Sequence, residues 1–384
     1  MSGPDLFSQP RRFGRGAALT LVFASVLVAG AATGSLPQGS EEPGAARSVV
    51  PDARRQVAQA AADAMAAGKS PTEAAERAVS RSGDRWAAVY SQGEYEEFEQ
   101  SLDGEYTGVG LWARRESDGA IAVSKVSGGS PAQAAGIRAG DRLTSVDGRA
   151  VDGLPVTDVL SLLRGDATDA PAGTAVRLGL SRGARAWDET VRRATLSTEP
   201  VTVRKIAGGG TLVRVSAFTK GVGEAVRAAV REVSGGVVLD LRGNSGGLVT
   251  EAVGVASVFL DGGLVATYDT DGTEHALHAD AGGDTTRPLV ALVDGGTMSA
   301  AELLTGALQD RGRAVVVGSR TFGKGSVQMP TRLPDGSVAE LTVGHYRTPS
   351  GHAVDGVGIT PDLEVEAGVL ERAERVLSGS GRTP

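Results

Sequence analysis

A serine and a lysine in the last third of the chain have the neighbours that a Ser-Lys hydrolase needs. Ser299 lies in the segment GGTMSAAELLTGALQD, and Lys324 follows 25 positions later in GSRTFGKGSVQ. A serine hydroxyl is a weak nucleophile at neutral pH, and a lysine amine can activate it only when the amine is neutral. Burial must therefore lower the lysine pKa from about 10.4 toward about 7 to 8. The two residues predict nucleophilic catalysis if the fold buries the lysine beside the serine.

The sequence around both residues suits this demand. An alanine- and leucine-rich run at helical spacing follows Ser299, which predicts that the serine lies at a helix N-terminus. Backbone N–H groups at such a terminus point at an anion that forms beside the serine. Lys324 lies between Gly323 and Gly325 after a strand-like run at residues 314–318. The glycines allow close backbone approach, so the lysine side chain can turn inward.

These segments resemble the sequence blocks of the C-terminal processing peptidases, also called tail-specific proteases. The family's blocks read approximately D-L-R-x-N-x-G-G, T/S-x-S-A-x-E and G-K-G-x-x-Q, and here they stand at residues 240–247, 297–302 and 323–328. The likeness runs from about residue 80 to 366. Two positions depart from the family pattern: Asp294 replaces the usual asparagine, and Met298 replaces a small residue.

The resemblance implies roles for individual residues by position. Ser299 corresponds to the nucleophile, Lys324 to the general base, and Gln328 to the residue that orients the lysine. The resemblance also implies an oxyanion hole made of backbone N–H groups, those of Gly246, Gly247 and Ala300.

Two glycine-rich motifs offer competing interpretations. Residues 243–247 fit the G-x-S-x-G nucleophile elbow, with Ser245 as the nucleophile after a strand-like run. That pattern is short, and the block around Ser299 is more specific. Residues 318–324 read G-x-x-x-x-G-K, but Gly325 stands where a phosphate loop carries Ser or Thr. We therefore predict no nucleotide binding.

The four histidines offer two further alternatives. His275 and His278 form an H-x-x-H in a polar stretch, with no third ligand at a recognisable spacing. This favours a solvated hairpin, and we predict neither a metal nor a cofactor. His345 or His352 could serve Ser299 in a Ser-His-Asp triad. A Ser-His esterase therefore stays an alternative.

Composition narrows the class of protein. The chain has 384 residues, of which 41% are hydrophobic, so it can form two domains with a sizeable core. It has no cysteine, which excludes disulfides, thiol catalysis and zinc-thiolate sites. The net charge is −7 without a basic stripe, so we predict no nucleic-acid partner.

The N-terminus indicates export. Arg11, Arg12 and Arg15 precede an uncharged, mostly apolar run that ends near Leu36 in small residues. We interpret residues 1–36 as a signal peptide or signal anchor and residues 37–51 as a linker. The protein is therefore expected outside the cytoplasm, either secreted or held on the outer face of the cell membrane if the segment is not cleaved.

Changes in pattern along the chain predict the domains. Residues 52–104 have helical spacing and predict a helical cap or arm. Residues 105–196 read as short strands with a single long helix and resemble a PDZ domain. Residues 197–370 alternate strands with helices, which predicts the protease core, and residues 371–384 read as a flexible tail. The predicted fold is α+β or mixed α/β, with the helical arm and a β-rich PDZ-like domain inserted before a mixed α/β serine-protease core.

The PDZ resemblance implies how substrates are recognised. An extended peptide would add as a strand beside residues 111–114, and N–H groups of one turn would hold its terminal carboxylate. The predicted turn consists of Gly108, Val109, Gly110 and Leu111. The predicted pocket for the last side chain consists of Val159, Leu162 and Leu163. Expected partners are unfolded proteins or proteins with exposed, apolar C-termini, and an oligomer stays possible. An exported PDZ scaffold with an idle hydrolase core is the alternative of a different class.

Overall fold

The structure, a computed structural model, describes residues 50–164, 170–270 and 272–379. The predicted export segment and most of the predicted linker lie outside these residues. In the part of the chain that the structure describes, no helix is both long enough and apolar enough to cross a membrane. The described residues divide into two units, one formed by Tyr106–Leu196 and the other by the residues on either side of it.

The helical arm begins the larger unit. Its elements are α1 (Val50–Ala66), α2 (Pro71–Ser82), β1 (Ala88–Tyr90) and α3 (Gln92–Leu102). Ser70 accepts a hydrogen bond from the Glu73 N–H at the start of α2, which Pro71 opens, and Gly83 ends that helix in a left-handed conformation. A capping box between Ser91 and Glu94 begins α3.

The second unit has the strand-rich pattern that the PDZ resemblance implies. Its elements are β2 (Glu105–Gly108), β3 (Leu111–Arg115), β4 (Ile121–Val126), α4 (Pro131–Ala134), β5 (Arg142–Val146), β6 (Arg149–Ala150), α5 (Val156–Arg164), β7 (Ala175–Arg182), β8 (Arg185–Arg192) and β9 (Ala194–Ser197). The sheet has the order β3-β4-β5-β7-β8, so β3 is an edge strand. The strands alternate buried and exposed residues, and the buried ones form a single apolar cluster with α5.

The remaining elements complete the larger unit. They are β10 (Val201–Lys205), β11 (Thr211–Val215), α6 (Val222–Glu232), β12 (Val237–Asp240), α7 (Val249–Phe259), β13 (Leu264–Thr270), β14 (Thr273–His278), β15 (Leu289–Val293), α8 (Ala300–Asp310), β16 (Val315–Gly318), β17 (Ser326–Arg332), β18 (Val338–Arg347), β19 (Leu363–Glu364) and α9 (Val369–Leu377).

A mostly parallel sheet forms the centre of this unit, with the strand order β10-β11-β12-β15-β16-β19. Every residue of β12 and β15 is buried, as expected for strands that are covered on both faces. Apolar residues of α6, α7 and α8 pack on one face, and those of α9 pack on the other. The predicted mixed α/β fold is confirmed.

A second sheet joins the helical arm to the core. Its order is β1-β18-β13-β14, and β17 pairs with β18. Gln328 of β17 lies opposite Thr342 of β18, and Glu340 of β18 lies between Pro330 of β17 and Ala88 of β1. The arm helices α1 and α2 pack on this sheet. The arm thereby brings the loop between α2 and β1 to the sheet face that carries Gln328 and Glu340.

Helix α9 corrects the prediction of a flexible tail from residue 371. The polar composition suggested fraying, but apolar residues recur there at helical spacing and pack against the central sheet. Ala373 has no exposed surface. Burial of this apolar face stabilises a helix that composition alone did not reveal.

Candidate active site

Ser299 lies at the N-terminus of α8, as predicted, in a strained conformation. Its φ is 56° and its ψ is −118°. Among the described residues other than glycine, only Asp147 and Ser299 have a positive φ. Such strain occurs at functional sites that the surrounding structure holds in place, including the nucleophile elbow between a strand and a helix. Here β15 precedes Ser299 and α8 follows it.

The carboxylate of Glu302 ties the serine block to the lysine block. Its Oε2 accepts a hydrogen bond from the Ser299 N–H at an N···O distance of 2.9 Å and from the Lys324 N–H at 2.8 Å. Its Oε1 accepts from the Gly323 N–H at 2.7 Å and from the Thr321 hydroxyl at 2.5 Å. Burial raises the pKa of Glu302, and these four hydrogen bonds oppose the rise because they favour the ionised form.

The hydroxyl of Tyr346 makes a second connection between the two blocks. Its oxygen lies 2.7 Å from the carbonyl oxygen of Ser299 and 2.8 Å from that of Lys324. Burial raises the pKa of Tyr346 well above its usual value, so the hydroxyl keeps its proton and can donate. The backbone on both sides of the site is therefore held by one carboxylate and one phenol.

Lys324 meets the electrostatic condition for a general base. Its side chain is 1% exposed, and burial lowers its pKa from 10.5 to about 8. The negative charges of Glu340 and Asp84 oppose the lowering of this pKa. The ammonium nitrogen lies 5.2 Å from the ring centroid of Trp86, within the range of a cation–π contact.

Gln328 contacts the same tryptophan. It has no exposed surface, and its amide nitrogen donates a hydrogen bond to the carbonyl oxygen of Trp86. Within the described residues, its amide oxygen has no hydrogen-bond partner. The indole N–H of Trp86 donates to Asp355 at 3.3 Å, and its ring packs against Phe322 with the centroids 5.7 Å apart. The structure therefore connects Gln328 to the surroundings of Lys324 through Trp86.

Two of the predicted oxyanion residues, Gly246 and Ala300, lie directly against Ser299, but the N–H group of Gly246 is already engaged. A Cβ added at Gly246 would lie 3.0 Å from the Ser299 Cβ and 3.3 Å from the Ala300 nitrogen, and Gly246 has a φ of +103°. The Gly246 N–H donates to Oδ1 of Asn244 at 2.9 Å. The prediction is corrected at this position: Gly246 supplies close approach, and Gly247 and Ala300 stay the candidate donors.

Asp294, one of the two departures from the family pattern, joins the same loops. Its Oδ1 accepts from the N–H groups of Gly243 and Gly296, both at 2.9 Å. An asparagine oxygen could accept the same bonds, which explains why aspartate is tolerated here. Met298, the other departure, is half-buried and donates its N–H to the Asn244 carbonyl at 2.8 Å.

Comparisons with known proteins identify the family. A family model described as Peptidase family S41 matches residues 210–365, and a PDZ domain model matches residues 123–171. The chain is 35% identical over 315 residues to carboxyl-terminal-processing peptidase 3, chloroplastic, of Arabidopsis thaliana, which covers 76% of this chain and 60% of that protein. It is 33% identical over 285 residues to a carboxy-terminal-processing protease of Bartonella bacilliformis, which covers 71% of this chain and 64% of that protein.

A solved structure covers more of this chain than either curated relative. The photosystem II D1 C-terminal processing protease superposes with a TM-score of 0.50 at 31% identity, over 81% of this chain and 86% of that one. The chain belongs to the carboxyl-terminal processing peptidases of family S41. The family that the sequence motifs indicated is confirmed. The chain spans 60% to 64% of the length of the two curated relatives named above.

The structure also shows where the competing candidates of this S41 chain lie: Ser245, His345 and His352. Ser245 lies in a loop and lacks the positive φ of an elbow, since only Asp147 and Ser299 have one among the described non-glycine residues. His345 lies 3.8 Å from a carboxylate oxygen of Asp355. The ring of His352 lies 3.2 Å from the Gly358 carbonyl oxygen.

The H-x-x-H motif lies on the exposed strand β14. His275 stacks on Tyr268 with the ring centroids 5.0 Å apart, and β14 pairs with β13 as a hairpin. Across the described ranges, no group of three or more His, Cys, Asp or Glu residues is arranged to hold a metal ion.

The predicted carboxylate-binding turn of the PDZ unit is held by backbone hydrogen bonds. The Val109 carbonyl accepts from the Ala132 N–H at 2.9 Å, and the Gly110 carbonyl accepts from the Ser127 N–H at 2.8 Å. A Cβ added at Gly110 would lie 2.2 Å from the Ser130 Cβ, so only glycine fits this turn. Gly108, Val109, Gly110 and Leu111 are all buried.

The predicted pocket on α5 is only partly accessible. Val159 is 0% exposed and Leu163 is 3% exposed, because both pack into the core of the PDZ unit. Leu162 is half-buried and stays accessible. The structure thus corrects two of the three predicted pocket residues to core residues. The helix period indicated an apolar face but not which part of that face the sheet would cover.

Sequence reasoning missed four residues that shape the catalytic site. Glu302 stands three positions after Ser299, the spacing of a capping box, which was the available signal. Trp86, Glu340 and Tyr346 reach the site through the pairing of β1, β17 and β18. A local sequence pattern carries no signal for such contacts.

Proposed function

We propose that the chain is an exported serine endopeptidase that cleaves protein substrates by a Ser-Lys mechanism and recognises their C-termini through its PDZ domain. The observation that supports the mechanism is the shared hydrogen bonding of Ser299 and Lys324 to one oxygen of Glu302, together with the burial of the lysine. The names of the relatives support C-terminal processing as the activity.

The reaction begins when the Ser299 Oγ attacks the carbonyl carbon of a peptide bond and its proton passes to the neutral amine of Lys324. The N–H groups of Ala300 and Gly247 stabilise the negative oxygen of the tetrahedral intermediate, each by about 3 to 4 kcal/mol. Lys324 then gives the proton to the departing amine, and the peptide bond breaks to leave an acyl-serine. A water molecule then gives a proton to Lys324 and attacks the acyl carbon. The ester bond to Ser299 breaks, the serine takes the proton back from Lys324, and the fragment with the new C-terminus is released.

Gln328 acts in this mechanism through Trp86. Its amide holds the tryptophan backbone, and the tryptophan ring faces the lysine ammonium. The arrangement stabilises the position of Lys324 without a direct bond from Gln328 to the amine. Ser299 has no exposed surface in the structure, so a substrate must displace the groups that cover it.

The PDZ unit supports the proposed choice of substrate. Its edge strand β3 can pair with an extended peptide. We expect backbone N–H groups of the turn before β3 to hold the terminal carboxylate. With Leu162 as the accessible residue of α5, an apolar last side chain is favoured. Substrates are therefore unfolded proteins or proteins with exposed C-termini.

The arginines and apolar segment at the N-terminus are the basis for export. We expect the enzyme to act outside the cytoplasm. Attachment to the membrane through an uncleaved segment and oligomerisation stay predictions.

The test incubates a permanently unfolded protein with the wild-type full chain and with each variant, and mass spectrometry identifies the cleavage products. Ser299→Ala should abolish cleavage, whereas Ser245→Ala, a matched change in the neighbouring loop, should retain it. Retained cleavage in Ser299→Ala would contradict both the Ser-Lys and the Ser-His assignment. Loss in His345→Ala or His352→Ala equal to the loss in Lys324→Ala would contradict the Ser-Lys assignment and favour the Ser-His alternative. A folded wild type that binds C-terminal peptides without cleaving any substrate would instead indicate a scaffold.

A further inference from the structure

Glu340 is a buried carboxylate on the sheet that adjoins the catalytic lysine. It lies in β18 and has no exposed surface. Its partner across one ladder is Pro330 of β17, and Gln328 lies two residues before that proline. Because side chains two apart on a strand share a face, Glu340 and Gln328 lie on the same face of the sheet.

Neither oxygen of Glu340 has a hydrogen-bond partner among the described residues. The neighbouring acid, Asp84, differs: it accepts bonds from the Thr342 N–H and hydroxyl at 2.8 and 2.9 Å and from the Trp86 N–H at 3.0 Å. A buried carboxylate without hydrogen bonds is costly, and its presence calls for a partner of another kind.

Lys324 lies next to the same group of residues: its ammonium nitrogen is 5.2 Å from the Trp86 ring centroid, and Gln328 donates to the Trp86 carbonyl oxygen. The negative charge of Glu340 acts to raise the pKa of Lys324, and the positive charge of Lys324 acts to lower the pKa of Glu340. Two tyrosines also face the carboxylate: Tyr90 from β1 and Tyr95 from α3. Burial and the Glu340 charge raise the pKa of both phenols, so they stay neutral over the range in which a lysine base works. The positive charge of Arg332 in β17 acts to lower the pKa of Tyr95, and the negative charge of Asp84 acts to raise the pKa of Lys324.

We propose that Glu340 is a positioning residue for the catalytic base, and that its carboxylate stabilises the ammonium that Lys324 becomes when it takes the proton of Ser299. This inference rests on the proposed Ser-Lys mechanism. No bond to Glu340 forms or breaks: the proton moves from Oγ to the lysine amine and then to the leaving nitrogen, while the carboxylate stays in place.

The stabilisation has two opposite effects on activity. Burial lowers the pKa of Lys324 to about 8, and the Glu340 charge opposes that lowering. Without the charge of Glu340, Lys324 would lose its proton at a lower pH, so the neutral amine would be available as a base at a lower pH. It would also be a weaker base, and the positive charge formed in the transition state would have no counter-ion. A substitution that removes only the charge therefore separates a positioning role from a structural one.

The activity test compares pH profiles of kcat/KM for peptide cleavage by wild type and by Glu340→Gln, which keeps the side-chain shape. The exposed Glu364 of β19 gives a charge-matched control, Glu364→Gln. In Glu340→Gln we expect the rise in rate to move about one pH unit lower and the alkaline plateau to fall about three- to tenfold. The two profiles should then converge or cross at acid pH. Glu364→Gln should match wild type. A loss by the same factor at every pH, or an unchanged profile, would overturn the proposal.

A second measurement tests the same pair without activity. Burial raises the pKa of Glu340 from 4.5 to about 7 in the folded state. The stability from this group is fully present below pH 4.5 and is lost as the pH rises through 7. Glutamine cannot lose a proton, so the Tm of Glu340→Gln should rise relative to wild type between pH 5 and pH 8. A Tm difference that does not change with pH would overturn the proposal. The same comparison in a Lys324→Met background isolates the pair: without the lysine charge that lowers the pKa of Glu340, the Tm gain from Glu340→Gln should be larger, and an equal gain would overturn the proposal. If Ser299→Ala cleaved as well as wild type, the Ser-Lys mechanism would fail, while this measurement would still test the pair because it needs no activity.

Discussion

The backbone N–H groups of Ser299 and Lys324 donate to one atom, Oε2 of Glu302, over 2.9 and 2.8 Å. The residues are 25 positions apart in sequence, and this shared acceptor fixes the start of α8 against the loop that precedes β17. The Tyr346 hydroxyl holds the same two residues through their carbonyl groups. The site is therefore held mainly through its backbone.

Tyr346→Phe tests this second connection. Loss of the hydroxyl removes this donor from the buried Lys324 carbonyl, whereas the Ser299 carbonyl still accepts from the N–H groups of Glu302 and Leu303. We therefore expect a loss of about 1 to 3 kcal/mol in the free energy of unfolding. We also expect kcat to fall about tenfold with little change in KM, because the alignment of the reacting groups is loosened. Urea denaturation and steady-state kinetics measure the two effects. Tyr268→Phe is the control: this half-buried tyrosine lies in β13, and its substitution should change neither the stability nor kcat. A Tyr346→Phe variant with wild-type stability and kcat would show that the hydroxyl does not hold the site.

The rate of peptide cleavage should rise with pH through about 8. Burial lowers the pKa of Lys324 to about 8, and only the neutral amine can accept the serine proton. The neutral fraction grows about tenfold per pH unit below that pKa and is nearly complete above it, so kcat/KM should rise and then level off. A rate that instead followed a group titrating near 10, as in a free lysine, would show that the amine is not buried in the active enzyme.

Chelators should leave the rate unchanged. The reaction that we propose needs only protein groups, and the described residues contain no cluster suited to a metal ion. The measurement compares cleavage before and after dialysis against a strong chelator. Inactivation that added zinc reverses would contradict the mechanism and would return attention to His275 and His278.

A free C-terminus should make a peptide a better substrate. A peptide that ends in apolar residues should lose about tenfold in kcat/KM when its C-terminus is amidated, since the turn at Gly110 can no longer hold a carboxylate. Replacement of its last residue by Asp should have a similar effect. In Leu162→Arg, which blocks the accessible part of the groove, the difference between free and amidated peptides should shrink. Equal cleavage of both peptides by wild type would show that the carboxylate is not recognised.

The parts of the site that could be predicted from sequence are those set by local physics. The apolar run after Ser299 indicated its helix, and the glycines beside Lys324 indicated close packing. The sequence could not show that the Gly246 N–H is occupied by Asn244, because this depends on the path of a loop. Nor could it place Glu340 on the same sheet face as Gln328, because that arrangement depends on strand pairing between distant segments.

Two errors concern which face of a helix the core covers. The charges after residue 371 suggested a frayed end, but Ala373 and the apolar residues one helical turn away form a face that the central sheet covers. Val159 and Leu163 were assigned to a binding pocket because they are apolar and on one helix. Their burial shows that this part of the helix packs into the core of the PDZ unit.

The most direct test of the Ser-Lys account is a double-mutant cycle on kcat/KM with a sensitive fluorogenic peptide. The variants are Ser299→Ala, Lys324→Ala and the double substitution. If the two residues act as one unit, each single change should lose about 10⁴-fold or more, and the double variant should lose little beyond either single one. Losses that multiply in the double variant, or a Lys324→Ala variant close to wild type, would contradict the claim that Lys324 activates Ser299.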